Sequence, residues 1–206
     1  YGADTVRFFI LFAAPPDQNL EWSDTAIEGG YKFLKRIWKL TYSALNLYSI
    51  NDSIEKNNDN KLLNKMNLTI DKVTNDIYNR KSYNTAIAAI MEYFNEISKF
   101  HDNKSISKNT LLECLEILIK LLYPITPHIC HTILKELSVS EPLSPKWPVK
   151  RENVIDEIEI QIIIQINGKL RSKININSNL EKEVIIDMAK KDEKISAYLD
   201  GKKIIK

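Results

Sequence analysis

A hydrophobic period of three and four residues constrains the fold of this chain more than any other sequence feature. Between residues 25 and 48, apolar side chains recur at this spacing from Ile27 to Leu45, which is typical of an amphipathic helix. Ser23 and Asp24 supply N-cap chemistry just before it. Four later segments repeat the period: residues 61–78, 83–100, 109–123 and, after Pro124 and Pro127, a segment that ends at Leu137. Five helices with short polar connections predict an antiparallel bundle.

The period changes after a proline-rich stretch at residues 140–150, which predicts a stiff linker. Two β-rich runs then flank Asn167-Gly168, a strong signal for a hairpin turn. Helical period returns over residues 181–199, and residues 202–206 indicate another strand. We therefore expect a mainly α chain, an antiparallel helical bundle followed by a small α+β domain of order β-β-α-β. The expected boundaries are an opening segment at 1–22, the bundle at 23–139, the linker at 140–155 and the α+β domain at 156–206.

Composition narrows the setting but not the function. The 29 Lys and Arg residues nearly balance the 27 Asp and Glu residues, so a nucleic-acid site must come from charge placement. Two cysteines are too few for a disulfide framework. The sequence has no apolar run of the roughly 18 residues that a membrane span needs. We expect a cytoplasmic chain without a membrane segment, and the folded character of both termini indicates a piece of a longer protein.

Several motifs, in order, resemble one enzyme family. Residues 1–9 (YGADTVRFF) resemble the segment that follows the KMSKS signature of class I aminoacyl-tRNA synthetases. Bacterial leucyl-tRNA synthetases in particular are similar to the stretches that come next, which are FAAPP at 12–16, LEWSD at 20–24, EGG at 28–30 and FLKRIW at 33–38. The later matches are YNTAIAAIME at 83–92, YPITPHIC at 123–130, WP at 147–148 and QINGKLR at 165–171. The resemblance covers essentially the whole chain.

The resemblance implies a parent enzyme that attaches leucine to tRNA(Leu), using ATP with Mg²⁺ and forming AMP. Residues 1–22 would end the segment after the KMSKS loop, residues 23–139 would bind the anticodon stem, and residues 156–206 would contact the tRNA elbow. Leucine and ATP would bind a catalytic domain outside this chain, so we expect no catalytic residue, cofactor or metal site here and an inactive fragment. The parent is expected to be a monomer. Residues 104–108 (KSISK) have the wrong order for the KMSKS signature and indicate a solvated loop.

Basic residues placed on one helix face are the first candidates for tRNA contact. Lys32, Lys35, Arg36 and Lys39, here called the basic stripe, fall within about 100° of one another on a helix. Such a stripe binds phosphates without reading sequence. An ordinary solvated helix face has the same pattern. The family resemblance favours tRNA binding, because this helix opens the tRNA-stem domain.

Further basic candidates lie near a helix junction and in the small domain. Arg80 and Lys81 could reach a phosphate or cap a helix C-terminus. Lys169, Arg171 and Lys173 alternate along a strand, so they would share one face, and they could contact the folded tRNA elbow or guard a sheet edge. The last two candidates, near this patch, are Lys202 and Lys203.

A zinc site, an ion pair and the three tryptophans are further candidates, with weaker support from the sequence. His128, Cys130, His131 and Cys114 suggest zinc, but His128 and Cys130 point about 200° apart on a helix, so a packed helix explains them better. Asp4 and Arg7, one helical turn apart, could make a local ion pair, and the family resemblance implies that this segment helps tie the bundle to the active site. The tryptophans, which are more typical of core or linker anchors than of base-stacking platforms, are Trp22, Trp38 and Trp147.

Two alternatives to this function stay open on the sequence. The first keeps the class but changes the amino acid, to a valyl or isoleucyl enzyme; residues 20–22 and the hairpin at 165–168 speak against it. The second is a helical module that binds protein and no RNA. It predicts no tRNA binding at low salt, whereas the affinity of a tRNA-binding chain falls steeply with salt, with a log-log slope of about one unit for each phosphate that it neutralises.

Overall fold

Helices dominate the first of two compact units, Tyr1–Val154 and Ile155–Lys206. The structure, a computed structural model, describes residues 1–46, 56–151, 159–166, 169–177, 182–191 and residue 195. In this part of the chain the predicted fold class is confirmed, with a helical bundle followed by a small α+β unit. The helices of the first unit are α1 (Ala3–Ala13), α2 (Asp24–Asn46), α3 (Lys56–Thr74), α4 (Tyr83–Asp102), α5 (Lys108–Leu122) and α6 (Pro127–Glu136).

Local chemistry sets where these helices begin and end. The Ser23 hydroxyl accepts a bond of 3.3 Å from the amide of Ala26 at the start of α2, as an N-cap residue does. At the start of α5 the Ser107 hydroxyl accepts from the amide of Thr110, and α6 begins on Pro127, whose missing N–H costs nothing there. Capping and proline therefore set these three starts.

Aromatic and aliphatic side chains from all six helices of the first unit form one core. Phe33 of α2 packs edge-on against Phe94 of α4, with ring centroids 5.4 Å apart. Tyr93 is fully buried, and its hydroxyl donates to the carbonyl of Cys114 on α5 at 3.4 Å. Met66 of α3 and Leu134 of α6 are also buried in this cluster. Burial of this apolar stripe, rather than helix propensity, holds the bundle together.

Helix α3 continues into a π-helical turn, Asn75–Arg80. The carbonyl of Asp76 accepts bonds from the amides of Lys81 and Ser82, and Lys81 has the left-handed φ of 54°. The expected helix over residues 61–78 therefore begins earlier, at Lys56, and ends later, in a wider turn.

Asp4 of α1 binds the start of α6. Its carboxylate accepts from the backbone amide of Ile129 at 2.7 Å and from the Nδ1 atom of His128 at 2.9 Å. Free amides at a helix N-terminus favour a carboxylate. Asp4 thus acts as a cap supplied by another helix.

Arg7, one turn along α1, binds the connection between α5 and α6. Its guanidinium donates to the carbonyls of Pro124 and Ile125, at 2.9 Å each. The expected ion pair between Asp4 and Arg7 is therefore wrong, because both side chains bind groups in the α5–α6 connection instead. We call these two contacts the α1 clasp.

The proline-containing segment at residues 140–151 is fastened along the surface of the first unit. The Tyr123 hydroxyl donates to the carbonyl of Leu143 at 2.8 Å, and the Trp147 indole donates to the Thr74 hydroxyl at 2.9 Å. At its end, Asn67 of α3 makes two bonds to the backbone of Arg151, which has an ion pair of 2.7 Å with Glu113. The segment is thus held at several points.

The second unit contains one hairpin and one helix among its described residues. Strands β1 (Glu159–Ile166) and β2 (Lys169–Asn177) pair antiparallel, with a register shift between Ile164 and Gln165. Helix α7 (Lys182–Lys191) follows. The turn residues Asn167-Gly168 and the expected last strand, 202–206, lie outside the described residues. No helix in the described part of the chain is long and apolar enough to cross a membrane.

Candidate nucleic-acid interface

The basic stripe lies on the exposed face of α2. All four of its side chains are exposed, whereas Phe33, Leu34 and Ile37 between them are buried. The helical spacing that predicted a common face therefore brings these cations to the surface. Cations on one accessible face are what a phosphate backbone requires.

Local contacts differ along the stripe. Lys32 pairs with Glu28 at 2.8 Å, and the bond and charge of Glu28 raise the pKa of Lys32. Lys35 lies over the ring of Tyr31, with its Nζ atom 5.3 Å from the centroid. Lys32 therefore carries its own counter-charge, whereas Lys35 has an aromatic neighbour.

Arg36 is oriented by α4. Its guanidinium carbon lies 4.9 Å from the centroid of the Phe94 ring, and its Nη2 atom donates to Asn95 at 3.1 Å. A guanidinium has about five N–H donors in a planar fork, so the bond to Asn95 leaves donors for a further acceptor. Arg36 is thus held in place while it stays exposed.

A shallow groove of about 250 Å³ lies between α2 and α4 beside the stripe. Arg36 and Lys39 line one side and His101 and Asp102 the other. His101 bridges the Ser43 hydroxyl at 3.1 Å and Asp102 at 3.2 Å. The groove offers hydrogen-bond donors and acceptors next to the two cations Arg36 and Lys39.

Arg80 has a structural partner. Its Nη1 atom binds Asp76 at 2.8 Å, and Asp76, only 1% exposed, also accepts from Lys72 and from the Thr85 hydroxyl. Burial alone raises the pKa of Asp76, but the bonds from Thr85 and Lys72 and the charges of Lys72 and Arg80 lower it below its ordinary value. Lys81, by contrast, is exposed. The proposed phosphate contact of Arg80 and Lys81 stays a prediction.

The hairpin residues are not arranged by simple alternation. The register shift falls at Arg171, because Ile164 pairs with Ser172 and Gln165 with Leu170. A register shift interrupts the two-residue period of a strand, and the common face of Lys169, Arg171 and Lys173 stays a prediction. Lys173 itself is exposed. Lys202 and Lys203 lie outside the described residues.

The residues considered for zinc are held in other ways. Cys114 and Cys130 are buried, and burial raises the pKa of each thiol to about 12. His128 is bound to Asp4. Within the described part of the chain, no group of three or more His, Cys, Asp or Glu residues could hold a metal ion.

The tryptophans occupy three different environments. Trp147 packs edge-on against Tyr78 and bonds to Thr74, so its interpretation as a linker anchor is confirmed. Trp22 is 63% exposed, and Trp38 is 37% exposed against Tyr42. The expectation of core anchors is therefore wrong for these two.

The structure brings together a second group of cations, on α3 and α4, that the sequence pattern does not single out. Lys61 and Lys65 on α3 and Lys99 on α4 line a groove of about 470 Å³, together with Asn58 and Asn103. The available signal is the spacing of four residues between the two lysines of α3. Their proximity to Lys99 depends on helix packing and is not encoded in local spacing. We call this cavity the α3–α4 groove.

The sequence of this chain is similar to those of known tRNA ligases. The family model described as the anticodon-binding domain of tRNA ligase matches residues 59–186. The leucine–tRNA ligase of Hydrogenovibrio crunogenus is 39% identical over 213 residues, covering 100% of this chain and 24% of that protein. The leucine–tRNA ligase of Blochmanniella floridana is 44% identical over 195 residues, covering 92% of this chain and 22% of that protein.

A solved structure is similar as well. A LeuRS–tRNA–LeuAMS ternary complex from Agrobacterium radiobacter K84 matches 98% of this chain and 27% of its own chain, with a TM-score of 0.82 and 26% identity. The expected resemblance to leucyl-tRNA synthetases is confirmed. The chain spans about a quarter of the length of the curated relatives it matches. Because the family model covers more than half of the sequence, the chain belongs to the family of anticodon-binding domains of tRNA ligases.

Proposed function

We propose that this chain is the tRNA-holding part of a leucine–tRNA ligase and that the basic stripe on α2 contacts the phosphate backbone of tRNA(Leu). The observation that carries the proposal is the exposure of four cations on one face of a helix whose other face is buried. Phosphate contacts of this kind position an RNA without reading its bases. The family match supports RNA as the partner over a protein.

The chemistry of the whole enzyme is also part of this proposal. Attachment of leucine with ATP and Mg²⁺ would take place in a catalytic domain outside this chain, and the protein would act as a cytoplasmic monomer. The same proposal assigns residues 23–139 to the anticodon stem and residues 156–206 to the tRNA elbow, with Lys173 and its basic neighbours in contact with the RNA. The similar leucine–tRNA ligases support the choice of leucine over valine or isoleucine.

A charge-reversal experiment tests the stripe. The variant Lys35→Glu plus Arg36→Glu should bind tRNA(Leu) roughly tenfold more weakly at low salt, and its log-log salt slope should fall by about one and a half, because two phosphates are no longer neutralised. Binding is measured at two salt concentrations, beside a tRNA without a long variable arm. Circular dichroism checks that the helices remain.

A matched control keeps the change in net charge the same. Lys146→Glu plus Lys150→Glu alters two lysines of the 140–151 segment, where Lys150 pairs with Asp71. This variant should bind tRNA as the wild type does. Because Arg36 also contacts α4, a second variant, Lys32→Glu plus Lys39→Glu, removes stripe charge without breaking that contact. Wild-type affinity in both stripe variants would reject the assignment.

A further inference from the structure

The α3–α4 groove is larger than the groove beside the stripe and lies on the other side of α4. Its lysines come from two successive helices, with Lys61 and Lys65 one turn apart on α3 and Lys99 on α4. Asn58 and Asn103 add amide groups, which donate and accept hydrogen bonds. This lining suits an anion that carries several oxygens.

The charge balance in the groove is positive. Lys61 and Lys99 form no ion pair with any residue that the structure describes, and Lys65 reaches Glu92 only at 3.8 Å. Glu96 also lines the groove and opposes an anion. Asp59, the neighbour of Asn58 in sequence, is also negatively charged, but its oxygens accept hydrogen bonds from the start of α5 and it forms no ion pair with the lysines of the groove among the described residues.

Asp59 is occupied at the start of α5. Its carboxylate accepts from the backbone amide and hydroxyl of Ser107, at 3.0 and 2.7 Å, and from the Thr110 hydroxyl at 2.8 Å. The acid therefore serves as a cap between two helices. Its hydrogen bonds are directed to Ser107 and Thr110 and not to the lysines of the groove.

Helix α4 forms one wall of the α3–α4 groove and one wall of the groove beside the basic stripe. Ser98, His101 and Asp102 of α4 line the groove with Arg36 and Lys39, whereas Lys99 of α4 and Asn103, which follows the helix, line the groove with α3. An α-helix is about 10–12 Å across with its side chains, so only one helix width separates the two grooves. One stretch of nucleic-acid backbone can span that distance.

The geometry points to a second phosphate-binding site in the α3–α4 groove, which extends the RNA contact of the basic stripe across the C-terminal half of α4. This inference rests on the proposed function and adds the residues Lys61, Lys65 and Lys99 to it. The ligand is the phosphodiester backbone of the bound tRNA. Ammonium groups neutralise its phosphates, the side-chain amides of the lining can donate to phosphate oxygens, and the Ser105 hydroxyl, which itself donates to Phe100, can accept from a 2′-hydroxyl.

The structure also makes one end of the groove rigid. The amide and the hydroxyl of Ser105 both bond to the carbonyl of Phe100, at 3.1 and 3.4 Å. Lys104, between Asn103 and Ser105, has the left-handed φ of 49° that ends α4. A fixed wall lowers the ordering cost of binding.

A four-protein comparison tests the site. The wild-type chain, Lys61→Glu plus Lys99→Glu, the stripe variant Lys35→Glu plus Arg36→Glu, and the control Lys146→Glu plus Lys150→Glu are titrated with tRNA(Leu) at two salt concentrations. The groove variant should bind roughly tenfold more weakly than the control, with a salt slope smaller by about one and a half. Hydrogen exchange and circular dichroism report whether each variant keeps its fold.

The outcomes separate this inference from the proposed function. If the stripe variant binds weakly while the groove variant matches the control, the second site is rejected and the proposed function stands. If the wild-type chain itself does not bind tRNA at low salt, the proposed function is rejected together with the site. Weakened binding in both variants supports both.

A variant that makes the groove more positive tests the site even if the charge-reversal variant does not fold. Glu96→Gln removes the carboxylate that lines the groove and keeps its shape. It should tighten tRNA binding by roughly threefold at low salt and by less at high salt, because the effect is screened. The control is Glu141→Gln in the 140–151 segment, which should leave affinity unchanged. Unaltered binding by Glu96→Gln would overturn the site.

Discussion

The Asp76 cluster and the basic stripe use the same chemistry in opposite surroundings. Arg80 and Asp76 are four residues apart, 2.8 Å from each other, and so are Lys32 and Glu28. The carboxylate of Asp76 is 1% exposed, whereas that of Glu28 is 47% exposed. Identical spacing therefore produces a structural tie in one place and a solvated pair in the other.

Burial decides what each pair contributes. Removing the acid of a buried cluster leaves its partners without acceptors, whereas an exposed pair is replaced by water at little cost. The cations around Asp76 are committed to the fold. Those of the basic stripe are free to exchange their partners for an external anion. The following predictions test that gradient from the buried end to the exposed end.

The largest effect on stability is expected at Asp76. The substitution Asp76→Asn removes the charge that Lys72 and Arg80 bind and weakens the bond from Thr85, so it should lower the free energy of unfolding by about 2 kcal/mol. Urea denaturation followed by circular dichroism measures this value. A decrease no larger than that of an exposed pair would erase the difference between the two regions.

The effect of Asp76 should also depend on pH. The pKa of this carboxyl is lowered in the folded chain, so its stabilisation is present above the ordinary carboxyl pKa of about 4 and disappears as pH falls through the folded value. The stability difference between wild type and Asp76→Asn should therefore be full at neutral pH and shrink in acid. A difference that grew as pH fell would contradict the lowered pKa.

An intermediate effect is expected at the end of the 140–151 segment. The substitution Asn67→Ala removes two bonds to the backbone of Arg151 on a half-buried surface, so it should cost about 1 kcal/mol. Hydrogen exchange at the Arg151 amide should speed up with little change in the core of the bundle. Lys150→Ala, which breaks only the exposed pair with Asp71, is the control. Equal exchange in both variants would show that Asn67 does not hold the segment.

The smallest effect is expected at Lys32. The substitution Lys32→Ala removes an exposed pair with Glu28, and it should leave the urea midpoint unchanged within error because water replaces the partner. Glu28→Gln should behave in the same way. A clear loss of stability in either variant would place the basic stripe among the structural ties and weaken its assignment as a binding surface.

Much of the bundle is predictable from the hydrophobic period and from the capping residues and prolines at the helix ends. Helix α4 is expected over residues 83–100 and extends over Tyr83–Asp102, and α5 is expected over 109–123 and extends over Lys108–Leu122. These helices have long apolar stripes, serine caps or prolines at their ends. Such signals are local, so one sequence is enough to read them.

Two departures from the expected period come from inserted residues. A period-based prediction assumes one residue per step, but the π-helical turn and the register shift of the hairpin each break that step. Both breaks occur at candidate RNA contacts, Arg80 and Arg171. The prediction for the residues of the α1 clasp fails for a different reason, since Asp4 and Ile129 are 125 positions apart and only tertiary structure joins them.

The α1 clasp has a consequence for how the chain is made. Its partners lie well over a hundred positions further along, and ribosomes add roughly 5–20 residues per second. Helix α1, with the apolar side chains of Phe8 and Phe9, therefore leaves the ribosome many seconds before the α5–α6 connection exists. During that delay α1 can be covered by α2, whose Phe33 packs against Phe8 at 5.3 Å between ring centroids, and then by α4, which also packs against it. The later synthesis of Pro124 and Ile129 then completes the clasp.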